Sequence, residues 1–296
     1  ERSLPCYAMT SQEVCDGISR GYAVCVLERI GRRKMLKRIV GVIITLTMVA
    51  GVSACGTQQS NEPKYADDEA MSVIAKGLQK RFDVLDQQEK NKEKDSAKNL
   101  KKAVQAEIDN DKELKSSQFK NSKMQEDVIS YLNLVDDSMD VLDKYGYDTA
   151  KYDEQWSKVY DKRTAQLKKL VDKYGLKVDA AHQDEFKELI ANGTSVQKEN
   201  ETKDAIEGLL NNVTFDKSDD GYGYYTYSAV IENTTKYSFK NVSLILALYD
   251  ADGVKAEEAY ASTNSWTPGE KVKFEASSDV NAAQVKPSFQ YYDVDE

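Results

Sequence analysis

Residues 209–232 read LLNNVTFDKSDDGYGYYTYSAVIE, and the hydrophobic pattern of the chain changes within this stretch. Before Asn212, apolar residues recur at steps of three and four, which is typical of amphipathic helices. After the turn signal Ser218-Asp219-Asp220-Gly221, the segment from Tyr222 to Glu232 is rich in aromatic and β-branched residues, which favours a strand. The chain is therefore predicted to be a multidomain α+β protein, helical first and β second.

Residues 212–296 are predicted to form a small antiparallel β-sandwich that folds on its own. Turn residues separate the strand regions: Asp252-Gly253 is a tight-turn dipeptide, and Pro268-Gly269 marks another turn. The further strand regions are Phe239 to Asp250, Tyr260 to Thr263, Lys271 to Glu275 and Ser288 to Val294.

Residues 67–211 are predicted to form an elongated helical bundle, because each helix carries one narrow apolar stripe. A long coiled coil is the alternative, but the loops at Gly146 and Gly175 interrupt its heptads. The stripes are Met71, Ile74, Leu78, Phe82 and Leu85; Leu100, Val104 and Ile108; Met124, Val128, Tyr131, Val135, Met139 and Leu142; Trp156, Tyr160, Leu167, Leu170, Val171 and Tyr174; and Phe186, Leu189 and Ile190.

Helix ends are also marked in the sequence. Ser122 and Gln125 have the spacing of a capping box, and Gly175 is placed to end the fourth helix. Asp179 is expected to cap a fifth helix. Gly193 is expected to close that helix, and Thr194 then opens a sixth that runs to Leu210.

The β part resembles a known family. Its segments Leu246-Ala247-Leu248-Tyr249-Asp250, Asp252-Gly253 and Thr267-Pro268-Gly269-Glu270, with Phe274, look like the FxLyD domain of Firmicute lipoproteins. Leu246 stands where the name-giving Phe would be, which is a conservative departure. The resemblance covers roughly residues 212–290 and implies an immunoglobulin-like fold without an established activity. Residues 156–179 resemble the helical region that often precedes this domain.

Residues 35–55, MLKRIVGVIITLTMVAGVSAC, have the layout of a secretory signal peptide. A basic beginning is followed by an apolar segment from Ile39 to about Ala50 and then by small residues. The ending Val52-Ser53-Ala54-Cys55 resembles the lipobox of bacterial lipoproteins. That resemblance implies cleavage between Ala54 and Cys55 and acylation of Cys55 with fatty acids such as palmitate.

The protein is therefore expected at the cell membrane, lipid-anchored on the extracytoplasmic face, with residues 56–66 as a flexible tether. A transmembrane helix is the alternative, but it wants roughly 20 uninterrupted apolar residues, and Thr45 and Thr47 interrupt this segment. No cysteine follows Cys55, so the exported part has no disulfide. Secreted proteins without disulfides are common in Gram-positive bacteria, which favours that group as the source.

Residues 1–34 are expected to be an upstream extension that is never translated. The segment Ile30-Gly31-Arg32-Arg33-Lys34, directly before Met35, is compatible with a translated purine-rich ribosome-binding site. A genuine cytoplasmic extension is the alternative.

Charge limits the partners of the mature chain. Of 41 Lys and Arg and 50 Asp and Glu, residues 1–55 hold eight and four, which leaves 33 and 46 and a net charge of −13 after Cys55. Only Arg81 and Arg163 are arginines in that part, and no basic stripe is present. We therefore expect no nucleic-acid partner. The membrane is contacted through the lipid anchor.

Catalytic, metal and cofactor sites are not predicted. His182 is the only histidine, and a Ser-His-Asp triad would have to use it. Near the start of the fifth helix, it is interpreted as a solvated or capping residue. A zinc site requires several His or Cys ligands, and after Cys55 the chain has one histidine and no cysteine. The loops Asp219-Asp220-Gly221 and Asp250-Ala251-Asp252-Gly253 lack the further oxygen ligands of an EF-hand, so they are interpreted as turns.

Aromatic residues are the main functional indication. Several tyrosines crowd one strand, so that both faces of its sheet carry rings while only one face can be core. Trp266 lies in a turn beside Pro268. Exposed rings stack on sugars or contact partner proteins. The candidate partner-binding aromatics are Trp266, Tyr224 and Tyr225.

Three functions are weighed. The first is a non-enzymatic binding or interaction module that contacts a glycan or protein of the cell envelope. The second is a purely structural, envelope-maintenance lipoprotein. The third, a carboxylate-based hydrolase, would require a deep cleft with two carboxylates. Exposed aromatic area would favour the first and its absence the second.

Overall fold

The computed structural model describes residues 64–295. Its contacts divide the chain into two compact units between Val196 and Gln197. We call residues 64–196 the helical unit and residues 197–295 the β unit. Cys55, the rest of the predicted signal peptide and residues 1–34 lie outside the described residues, so the statements about them remain predictions.

In the described part of the chain, five α-helices precede the strands, and the predicted apolar stripes lie on them. Within residues 64–295, no helix is both long and apolar enough to cross a bilayer. The fully buried stripe residues include Ile74, Leu78, Val104, Tyr131 and Leu167. The helices are α1 (Ala70–Lys90), α2 (Ala97–Asp111), α3 (Ser122–Lys144), α4 (Ala150–Tyr174) and α5 (Gln183–Gly208), with short 3₁₀ helices at Lys112–Ser116 and Ala180–His182.

Two of the predicted helix ends are confirmed, and one predicted cap is wrong. Asn121 caps α3, because its side-chain oxygen accepts hydrogen bonds from the backbone N–H groups of Lys123 and Met124 at 3.1 Å each. The predicted cap Ser122 is the first residue of the helix instead. Asp179 caps the 3₁₀ helix that leads into α5, and Gly175 ends α4 with a left-handed φ of 68°, both as predicted.

Helix α5 is continuous through Gly193, so the predicted break between a fifth and a sixth helix is wrong. Gly193 is buried where α5 packs on α4, and a Cβ there would lie 2.6 Å from the carbonyl carbon of Thr164. The glycine therefore allows close helix packing and does not end the helix. The Thr194 hydroxyl donates to the carbonyl of Ile190 at 2.7 Å, which is the contact of a mid-helix threonine and not of a cap.

The six strands of the β unit form two small antiparallel sheets, in the orders β1-β2-β5 and β4-β3-β6. Strand β1 was not predicted, because its sequence DKSD has no apolar alternation and all four of its residues are exposed. It exists through its pairing with β2. The strands are β1 (Asp216–Asp219), β2 (Tyr225–Glu232), β3 (Ser238–Tyr249), β4 (Lys255–Trp266), β5 (Lys271–Ser278) and β6 (Gln284–Asp295).

The two sheets share one hydrophobic core. Alternate residues of β3 point inward, and Leu244, Leu246 and Leu248 are fully buried. Ile206 and Leu209, from the end of α5 and the turn after it, belong to the same core. The β unit therefore begins inside α5, before the predicted boundary at Asn212, because these two side chains find their apolar partners among the strands.

Candidate binding surface

Trp266 is a core residue. Its side chain is 0 % exposed, its indole N–H donates to the carbonyl of Glu270 at 3.1 Å, and its ring lies 5.2 Å from that of Phe274 in the other sheet. It cannot offer its ring to a partner on the folded β unit. This corrects the prediction, which placed Trp266 in a turn beside Pro268 and named it a candidate partner-binding aromatic, whereas it is the last residue of β4.

The connection between β1 and β2 carries the most exposed ring of the β unit. Tyr222 is 90 % exposed and Tyr224 is 55 % exposed. We call residues 219–224 the aromatic tip. Single exposed apolar residues are normal on protein surfaces, whereas two exposed rings on one short turn make that turn a candidate contact surface.

The aromatic tip is held by its own backbone contacts. The carboxylate of Asp220 accepts hydrogen bonds from the N–H groups of Tyr222 at 2.8 Å and Tyr224 at 3.1 Å. Gly221 and Gly223 have φ values of 79° and 96°, which L-residues with a side chain rarely adopt. The backbone of the turn is thus pre-organised.

The tyrosines of β2 are divided between surface and core. Tyr225 is half-buried, with the ammonium group of Lys217 5.6 Å from its ring centroid. Tyr227 is fully buried, donates its hydroxyl to the carbonyl of Val280 at 2.6 Å and accepts from the N–H of Ala282 at 2.8 Å. Tyr224 is the more accessible of the two predicted tyrosines. Tyr222 was predicted as the start of the strand and was not named as a candidate, whereas β2 begins at Tyr225 and Tyr222 lies in the turn before it.

Three connections lie at the same end of the β unit. Tyr225 pairs with Ser278 and Tyr249 pairs with Gln284, so the β1–β2, β3–β4 and β5–β6 connections meet there. Direct contacts agree with this register, since Lys217 donates to the side chain of Asn281 at 2.6 Å. We call this end, formed by residues 219–224, 250–254 and 279–283, the aromatic end.

Five aspartates lie in the three connections of the aromatic end. Asp250 shapes the β3–β4 turn by accepting hydrogen bonds from the N–H groups of Asp252 and Val254 at 2.9 Å each. Across residues 64–295, no group of three or more His, Cys, Asp or Glu residues is arranged to hold a metal ion. Turn chemistry accounts for both Asp-Gly loops. The aspartates of the aromatic end are Asp219, Asp220, Asp250, Asp252 and Asp279.

His182 does not have the geometry of a general base. Nδ1 lies 2.8 Å from Asp179, Nε2 lies 3.1 Å from Asp83, and the side chain is 7 % exposed. Burial alone would lower the pKa of His182, but these two carboxylates raise it above its ordinary value. Both ring nitrogens are thus engaged, and neither is free to take a proton from a nucleophile. The residue is neither solvated nor the cap of the helix, which is Asp179.

A groove of about 950 Å³ runs beside α2 and α3, with two carboxylates, Asp109 and Asp143, among its lining residues. It is open to solvent, and Asp143 is paired with Lys101 at 2.5 Å. A hydrolase of the predicted third kind wants a shielded carboxyl group with a raised pKa. The described carboxyl group with that property is Asp111, which is buried at 2 % exposure in the helical unit.

The comparisons with known proteins add no relative. No family model matches the chain. Searches among curated proteins and among solved structures give no significant match either. The resemblances to the lipobox and to the FxLyD domain stay predictions, and the exposed tyrosines of the aromatic end are the basis for any functional proposal.

Proposed function

We propose that this protein is a lipid-anchored, extracytoplasmic, non-enzymatic binding module of the cell envelope, and that the aromatic end of the β unit is its contact surface. The observation that carries the proposal is the pair Tyr222 and Tyr224, 90 % and 55 % exposed on a pre-organised turn. Exposed aromatic area separates this function from a purely structural role.

Tyrosine suits a recognition surface because it offers a large amphipathic contact with only two side-chain torsions to order. The tip sequence Ser218-Asp219-Asp220-Gly221-Tyr222-Gly223-Tyr224 combines such rings with small and polar residues, the composition that antibody loops use. A tyrosine buried by a partner contributes about 2 kcal/mol or more where it is a hot spot.

An immunoglobulin-like sandwich is the arrangement that we propose for the β unit. Two three-stranded antiparallel sheets with a common core support it, as does the clustering of three connections at one end. In such domains the sheets are a rigid support, and the loops at one end make the contacts.

Acylation of Cys55 is the proposed anchor. Two acyl chains suffice for stable membrane attachment, whereas one does not. We expect Cys55→Ala to leave an uncleaved precursor or to release the protein from the membrane fraction. A mutant that stays processed and membrane-bound like the parent contradicts this part of the proposal.

The binding role is tested with labelled mature chain added to cells that lack the gene. The double variant Tyr222→Ser, Tyr224→Ser is expected to bind the cell surface at least about tenfold more weakly. Tyr260→Ser is the matched control, because Tyr260 is also 55 % exposed but lies in the middle of β4. Equal binding by the double variant and the parent would favour the structural role.

A further inference from the structure

We infer that the partner of the aromatic end is a cationic polypeptide segment, rich in lysine or arginine. The inference rests on the proposed function, since it names the kind of partner that the exposed tyrosines would contact. It follows from three observations on the aromatic end: rings that are open to solvent, carboxylates without an ion-pair partner, and tyrosine faces that already hold ammonium groups.

The aspartates of the aromatic end lack cationic partners. Among residues 64–295, no ion pair involves Asp219, Asp220, Asp250, Asp252 or Asp279, although surface lysines elsewhere pair freely with Asp and Glu. In three of them, Asp219, Asp220 and Asp250, one carboxylate oxygen accepts backbone N–H groups of the turn. Carboxylates on adjoining turns repel one another, and a bound cation removes that cost.

Lysines near this end are already engaged. Lys255 pairs with Glu258 at 2.6 Å, so it does not neutralise the loop aspartates. The ammonium group of Lys286 lies 4.5 Å from the ring centroid of Tyr249, and that of Lys217 lies over Tyr225. The three loops contain five aspartates and no lysine or arginine, so the charge of the aromatic end is negative even beside Lys217, Lys255 and Lys286.

These two lysines also show what the tyrosine faces accept. An ammonium or guanidinium group over a tyrosine ring is attracted by the electrons of that face. The rings of Tyr225 and Tyr249 each contact a lysine of the β unit. The rings of Tyr222 and Tyr224 are exposed to solvent, on the turn that also carries the unpaired carboxylates of Asp219 and Asp220. A lysine or arginine side chain would meet a ring face and a carboxylate together.

Other partners fit this surface less well. Anionic wall polymers and lipid headgroups are repelled by the aspartates and by the net charge of −13 after Cys55. A neutral glycan would use the rings but would leave the carboxylates without a role. A polypeptide with spaced cations uses both.

The test is titration of isotope-labelled mature chain with an oligolysine peptide, followed by amide chemical shifts. Shift changes are expected at residues 219–224, 250–254 and 279–283. Affinity is expected to fall as salt rises, because screening shortens the range of these charges to about 10 Å at 0.1 M. A neutral chito-oligosaccharide and an oligoglutamate peptide are titrated in parallel.

Two double variants separate charge at the aromatic end from charge in general. Asp252→Asn with Asp279→Asn should weaken oligolysine binding at least about tenfold. Glu199→Gln with Asp204→Asn removes the same amount of charge from α5. This variant should change the affinity for oligolysine less than about twofold. Equal losses in both variants, or shift changes spread over the whole acidic surface, would overturn the inference.

The glycan titration distinguishes a wrong partner class from a wrong binding function. If the chito-oligosaccharide binds at the aromatic end and needs Tyr222 but not the aspartates, the cationic partner is wrong while the binding function stands. If neither probe shifts the aromatic end and Tyr222→Ser, Tyr224→Ser leaves binding to cells unchanged, both fail. Thermal unfolding of every variant confirms that the β unit is folded.

Discussion

Arg163 and Glu107 form a buried ion pair between α4 and α2, with Nη2 of the arginine 3.1 Å from both carboxylate oxygens. Arg81 of α1 donates to the same carboxylate at 2.9 Å, and the hydroxyl of Tyr131 donates to it as well. The two arginines that follow Cys55 therefore share one acid inside the helical unit. Burial alone would raise the pKa of Glu107, but the two guanidinium groups lower it to about 2.

The first prediction is that Glu107→Gln destabilises the helical unit by about 3–5 kcal/mol, because it leaves two buried guanidinium groups without a counter-charge. Chemical denaturation followed by helical circular dichroism measures the loss. Glu154→Gln is the control, since Glu154 pairs with Lys151 and Lys158 on the surface and should matter little. Similar midpoints for the two variants would contradict the prediction.

The second prediction concerns Asp111, whose carboxyl group lies against Gly77 of α1. A Cβ on Gly77 would be 2.7 Å from the carboxyl carbon, and Oδ2 of Asp111 has no hydrogen-bond partner. Burial, with a contribution from Glu107, raises the pKa of Asp111 to about 8. The folded chain thus keeps a proton that the unfolded chain releases near its ordinary pKa of 3.8.

Asp111 therefore lowers the unfolding free energy as pH rises from about 4 to about 8. Asp111→Asn is expected to match the parent near pH 4 and to be more stable than the parent near pH 8. Denaturant midpoints of both proteins across that range test this. A stability difference that does not change with pH would refute the raised pKa.

The third prediction uses His182, the only histidine of the chain, which gives a single imidazole signal in NMR titrations of untagged protein. Its pKa is expected above its ordinary value of 6.5, and Asp179→Asn should lower the pKa more than Asp83→Asn. Because the folded pKa is raised, the stabilisation is complete below pH 6.5 and is lost as pH rises through the folded pKa.

Stability measurements give an independent check on His182. The stability difference between the parent and His182→Gln should be largest below pH 6.5 and should shrink as pH rises above that value. A histidine that titrates below 6.5, or a difference that grows with pH, would mean that the two carboxylates do not hold an imidazolium.

The fourth prediction separates the core role of Trp266 from binding. Trp266→Ala should destabilise the β unit by about 3–5 kcal/mol, because it removes a fully buried ring. Tyr222→Ser should change stability by less than about 0.5 kcal/mol. Thermal unfolding followed by β-type circular dichroism measures both. Trp266 would be a partner residue after all if its replacement left stability intact but impaired binding to cells.

Local features of the structure were predictable from sequence. The stripe from Met71 to Phe82 predicts the buried face of α1, because residues three and four positions apart lie on the same face of a helix. Gly175 ends α4 for a similarly local reason, since few other residues adopt a positive φ. The change of period after Asn212 likewise predicts the order of helices and strands.

What depends on distant contacts was decided by the tertiary structure alone. From sequence alone Gly193 indicates a helix end, but its role is to allow close packing of α4. The sequence of β1 has no strand pattern, and this segment is a strand only because it pairs with β2. Trp266 is buried because β4 and β5 bring it onto Phe274. Glu107 lies 26 and 56 residues from its two arginines, and no local period relates positions so far apart. The sequence by itself determined which segments are helix and which are strand, whereas packing between segments determined which side chains are core, ion pair or exposed surface.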